Sequence, residues 1–168
     1  MPQLRPMTSP PANPFAEPLP DSAAGSVAEV HSALVQTAAD GGDPRHAEQL
    51  VIVLDHLGIR AWRRAAMSLV EYCLSWGQWP PGEAGARAYE AENGLPDPQV
   101  PCRALLGSAM VAYFRGGRGG ARAVLVAAEP EVLKGMVRLL FVVAAGSGGA
   151  LSEEQIARLM ATVCKGVL

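Results

Sequence analysis

Aromatic residues are scarce, at 5% of the chain, and 168 residues hold only three cysteines and three histidines. Cys73, Cys102 and Cys164 are odd in number, well separated and free of any Cys-x-x-Cys pair. That excludes a disulfide framework and a zinc ribbon, and the three read as reduced, half-buried small apolar residues. His46 and His56 stand ten residues apart and His31 falls on another segment, so the one-turn spacing of a zinc peptidase is missing. The three histidines read as surface or capping residues, and no metal is expected. Charge of one dominant sign is also lacking. Fourteen Lys and Arg against sixteen Asp and Glu give a net charge of −2, which supplies no field for phosphates, so no nucleic-acid partner is expected.

Long hydrophobic runs are missing too. The longest uncharged stretch, Leu139 to Ser152, has fourteen residues broken by Gly146, Gly148 and Gly149, whereas a membrane-crossing helix needs about twenty. It reads as the buried centre of a soluble domain. No N-terminal stretch joins a charged start, an apolar segment and a small-residue cleavage site, so the expected address is the cytoplasm.

Reactive constellations are absent in the same way. Ser26, Ser108 and Ser147 lack the glycine two residues upstream that a nucleophile elbow requires. Asp55-His56 invites a general-base reading with Cys73 as nucleophile, but adjacent helical residues point about 100° apart and cannot orient one another. Gly116-Gly117-Arg118-Gly119-Gly120 has neither the Lys-Ser/Thr ending of a P-loop nor a dinucleotide fingerprint, and it reads as a mobile interhelix loop. No cofactor is expected.

What is present is enough apolar matter for a core: 49% hydrophobic residues and 18% charged. Residues 1–20 carry seven of the fourteen prolines and are expected to be a disordered or polyproline-like tail, leaving one helical domain over 21–168. Apolar steps of three and four predict a helix over 22–39, capped by Asp21 or Ser22. Asp43-Pro44 restarts the chain as N-cap and first helical residue, and Gly58 stops that second helix. Its run Leu50 to Leu54 suits a strand or a buried helical turn, and the flanking signals favour the turn. Over 59–77, Trp62, Ala66, Leu69, Val70 and Cys73 share one face, opposite Arg60, Arg63, Arg64 and Glu71.

Glu83 and Arg87 make an i,i+4 pair on a fourth, alanine-rich helix closed by Gly94, with Tyr89 as its one large anchor. Pro96, Pro98 and Pro101 predict an extended link to a fifth helix, which carries Leu105, Leu106, Ala109, Met110 and Tyr113 and ends at Gly116. Segment 121–128 is ambiguous between strand and helix; helix is chosen because no second strand exists to pair with it. Glu129-Pro130 opens a sixth helix that is apolar all round from Leu139 to Ala145, and Ser152 with Gln155 forms a capping box for the last. The expected fold is all-α, a single orthogonal or irregular bundle of about six to seven helices.

Candidate surface residues are Arg60, Arg63 and Arg64, the densest positive patch on a helix, together with Arg115 and Arg118 beside the glycines. Trp76 and Trp79 flank Gly77 at a helix end, where tryptophan serves as core anchor or as binding hot spot.

Trp79, Pro81, Arg87-Ala88-Tyr89, then Ala109 to Phe114 and Gly116-Gly117, resemble an uncharacterised bacterial family of small helical proteins, domain of unknown function 6931. The likeness covers 79–120, and the family's upstream tryptophan pattern is reduced here to Arg60-Ala61-Trp62-Arg63. It implies a bacterial accessory or interaction protein linked to a secretion apparatus, with no catalytic residues to carry over. It adds Arg87 and Phe114 to the candidate interaction surface. The leading expectation is therefore a non-enzymatic protein-protein interaction module with a protein partner of unknown identity. Two alternatives stay open: a small-ligand or anion-binding protein or enzyme whose site is assembled from dispersed Arg60, Arg64, Tyr113 and Asp55, and a homodimeric structural protein.

Overall fold

The computed structural model describes residues 24–94 and 97–167; the proline-rich tail, the Asp21 or Ser22 cap and Pro96 lie outside the described residues. Those residues form seven helices and no strand: α1 (Ala24–Ala39), α2 (Arg45–Leu57), α3 (Ile59–Trp76), α4 (Glu83–Asn93), α5 (Pro101–Ala127), α6 (Pro130–Ser147) and α7 (Glu153–Val163). The punctuation acts as the local chemistry dictates. Asp43 Oδ1 accepts the Arg45 backbone N–H at 2.9 Å, Gly58 and Gly94 follow the last residues of α2 and α4, and both halves of the Ser152/Gln155 capping box are made.

Two helices, the amphipathic α3 and the largely apolar α6, form the centre. α3 packs against α1, α2, α5 and α6, while α6 packs against α1, α3, α5 and α7. Trp62 lies fully buried between them, and its indole N–H donates to Asp55 Oδ1 at 3.0 Å. Lys134 Nζ sits 3.0 Å from the same carboxylate and 5.4 Å from the Trp62 ring centroid, a cation–π contact. The hydrogen bond from Lys134, with that from Trp62, holds the Asp55 carboxyl below the usual aspartate value against a modest desolvation.

Four sequence expectations change here. Leu50 and Leu54 are buried, but Ile52 between them is 68% exposed, because a single helix face cannot bury five consecutive side chains. Pro101 is no part of the linker; it is the first residue of α5, and Asp97 before it closes a turn by accepting the Gln99 N–H at 2.8 Å. All three cysteines are buried rather than half-buried.

The fourth correction is the glycine-rich stretch. It is no loop: helix continues on both sides of a single break at Gly117, whose φ of 64° and ψ of −156° only glycine adopts without strain. Beyond the break the chain folds tightly back, and a Cβ on Gly120 would stand 2.6 Å from the Ala112 carbonyl oxygen. Buried Ala121 and Leu125 anchor this second half, so packing overrides low helix propensity.

Candidate functional site

α4 leans chiefly on α5, and small residues set how close it comes. A Cβ on Gly85 would meet the Pro80 carbonyl oxygen at 2.0 Å and the Phe114 ring at 2.6 Å, so glycine is what lets α4 settle over that ring. Trp79, Tyr89 and Phe114 then form one aromatic cluster, with centroid separations of 5.6, 6.0 and 6.2 Å. Trp79 Nε1 donates to Glu92 Oε2 at 3.0 Å. Burial pushes the Tyr89 hydroxyl up to about 12.

The far side of this docked helix bounds an open groove of about 830 Å³ between α4, α5, α6 and the Met160 side chain of α7. Leu106, Val111, Leu139 and Val143 give it an apolar floor, and Glu90, Asp97, Arg103 and Arg115 line it with charges of both signs. Val143 corrects a further expectation. It lies within the run read as apolar all round and buried, yet it is 41% exposed because no helix among the described residues covers that face of α6. A narrower channel of about 350 Å³ shares Tyr89, Asn93, Leu106 and Val143 with the groove and runs toward Trp76 and Trp79.

The structure divides the eight candidate surface residues into three places. Trp79, Phe114, Arg87 and Arg115 meet at the α4–α5 contact: Arg115 donates to both Glu83 oxygens at 2.8 and 3.1 Å, and Arg87 Nε lies 3.5 Å from Glu83. Phe114 is buried there, so it is packing and not surface. Arg118 is half-buried. One of its Nη atoms donates to both oxygens of Glu71 on α3, at 2.5 Å. Arg60, Arg63 and Arg64 stand apart on α3; Arg60 is exposed, Arg63 and Arg64 are half-buried, and the Arg63 Nε is buried without a hydrogen-bond partner.

The dispersed set lies outside the groove lining. Tyr113 is fully buried, and its hydroxyl, hydrogen-bonded with Glu71 and Arg118, is pushed upward chiefly by burial. Asp55 is engaged by Trp62 and Lys134, and none of Arg60, Arg64, Tyr113 and Asp55 lines the groove. Desolvation alone pushes the Cys73 thiol up to about 12, so this residue holds its proton at neutral pH. Among the described residues no three His, Cys, Asp or Glu side chains gather as a metal site would need, and His46 instead pairs through Nε2 with Asp40. No helix among them is long and apolar enough to cross a membrane.

Sequence reasoning missed Arg103, Val111, Val143 and Met160 as parts of one groove. The helical stripes placed Leu106 in the core, and no local pattern marks which apolar face the completed packing leaves open. Neither the protein-family models, nor the curated proteins, nor the solved structures contain a match to this chain.

Proposed function

We propose that this chain is a non-enzymatic helical interaction module that receives a segment of a protein partner in the groove between α4, α5, α6 and α7. The observation that carries the reading is the exposed Val143 on the apolar floor, lined by Glu90, Asp97, Arg103 and Arg115. An apolar centre inside a charged margin is the anatomy of a docking surface. An amphipathic helix with charges of both signs on its flanks fits it, since its apolar face would cover the floor.

The test is co-purification of the full chain under mild conditions, beside Val143→Glu. The expected result is a stoichiometric protein held by the parent chain and lost by the variant, with circular dichroism unchanged. A solution mass of twice 17.6 kDa that halves in the variant would instead favour the homodimeric alternative. A solitary parent chain, or a variant that keeps its partner, overturns the reading.

A further inference from the structure

The narrower channel differs in chemistry from the groove it adjoins. Charges of both signs line the groove, whereas no charged side chain among the described residues lines the channel, whose walls are the rings of Trp76, Trp79 and Tyr89 with Met110 and Leu140. The Trp79 ring lies against bare backbone beside Trp76, because a Cβ on Gly77 would stand 1.9 Å from its edge. Most polar side chains of the channel already have partners. Trp79 Nε1 donates to Glu92, Asn93 Nδ2 to the Tyr89 carbonyl at 2.9 Å, and the Ser147 hydroxyl to the Val143 carbonyl at 2.8 Å. Trp76 is the exception: its indole nitrogen is buried without a hydrogen-bond partner, while Trp62 and Trp79 both donate to carboxylates. A buried indole N–H is a donor only and ordinarily finds an acceptor.

We infer that this channel binds a small, uncharged, planar molecule whose edge carries a hydrogen-bond acceptor, and that the acceptor takes the Trp76 indole N–H. Each part of that description follows from the walls. Aromatic rings favour a flat guest, which can stack on one ring and meet the edge of another. A charged guest would be buried without a counter-charge, so the guest is neutral. The acceptor ends the cost of leaving the Trp76 N–H unpaired. Trp76 is half-buried and is the last residue of α3, so a small rotation of its ring presents the N–H to the guest without moving the helix core. The volume, about 350 Å³, lies at the small end of the range for small-molecule pockets, roughly 300–1,000 Å³.

The test uses the full chain and two probes of one shape, quinoline and naphthalene, which differ in a single ring nitrogen that accepts a hydrogen bond. Equilibrium dialysis gives the affinity of each for the parent, for Trp76→Phe, which keeps an aromatic wall but has no N–H, and for Ser147→Trp, which narrows the channel at an exposed position. Both probes are expected to bind the parent. The ratio of quinoline to naphthalene affinity should fall about three- to tenfold in Trp76→Phe, and Ser147→Trp should weaken both probes. In isotope-labelled parent protein, which needs no substitution, quinoline should move the Trp76 indole proton resonance downfield and naphthalene should not. No binding of quinoline, an unchanged affinity ratio in Trp76→Phe, binding untouched by Ser147→Trp, or an indole resonance that answers both probes alike overturns the inference. Tyr89, Asn93, Leu106 and Val143 wall both spaces, yet the inference does not rest on a protein partner, since the probes are read on the solitary chain.

Discussion

Two arginines three positions apart on α5 tie it to other helices, one on each side of the Gly117 break, and they differ sharply in burial. Arg115 reaches Glu83 of α4, with side chains 47% and 50% exposed; Arg118 reaches Glu71 of α3, with side chains 13% and 12% exposed. Water screens the first pair and solvates either partner when the other leaves. The second pair sits beside the buried Tyr113, where an abandoned charge has no such recourse. The outer tie therefore orients a peripheral helix, whereas the inner one fixes where α5 can bend.

Removing the inner tie from one side gives the largest expected effect. Glu71→Ala leaves the Arg118 guanidinium and the Tyr113 hydroxyl without their carboxylate, at a cost of about 3–5 kcal/mol. At about 2–4 °C per kcal/mol for a domain of this size, the thermal midpoint drops by roughly 6–20 °C. Replacing all three groups, Glu71→Leu with Arg118→Met and Tyr113→Phe, should recover most of that loss, because neither a charge nor a buried hydroxyl is then stranded. Thermal unfolding followed by circular dichroism decides. A triple variant as unstable as Glu71→Ala would show that the hydrogen-bonded group itself, and not the stranded partners, carries the stability.

The bend between the two ties gives the next effect. Gly117→Ala meets no neighbouring atom, so its cost is backbone strain alone, about 1–3 kcal/mol. Gly119→Ala, equally open but in ordinary helical conformation, should be neutral or stabilise by up to about 1 kcal/mol. Urea unfolding of the two variants separates them. Equal responses would mean that the break at Gly117 is not a required feature of the native chain.

The sequence shows local ties and hides distant ones, and these residues make the reason plain. Ser152 with Gln155 and Glu83 with Arg87 lie within one helical turn, so spacing alone reveals them, and both contacts form. Glu71 and Arg118 are 47 residues apart, and Glu83 and Arg115 are 32 apart; only the completed packing brings them together. The same limit misled the reading of Gly116 to Gly120. Glycine content reports local helix propensity, while Ala121, Leu125 and the Glu71 contact, which hold the segment helical, act from outside it. The groove escaped notice for a related reason: an apolar helix face reads alike whether a neighbour covers it or, as at Val143 among the described residues, none does.

The outer tie closes the comparison with the smallest expected effect. Hydrogen bonds from Arg115 hold the Glu83 carboxyl below its usual 4.5. A depressed folded-state value contributes stability that is present above 4.5 and is lost as pH falls through the folded value. Both partners are open to water, however, so the hydrogen-bonded geometry adds little beyond what solvation already gives each charge. Glu83→Gln should leave the neutral-pH unfolding midpoint unresolved from the parent, and the two chains should also coincide in acid, where the carboxyl is protonated. About 1 M salt, with a screening length near 3 Å, should erase any residual difference while leaving the Glu71→Ala deficit in place. A Glu83→Gln loss that rivals Glu71→Ala and survives salt would break the comparison, because burial would then not be what separates the two ties.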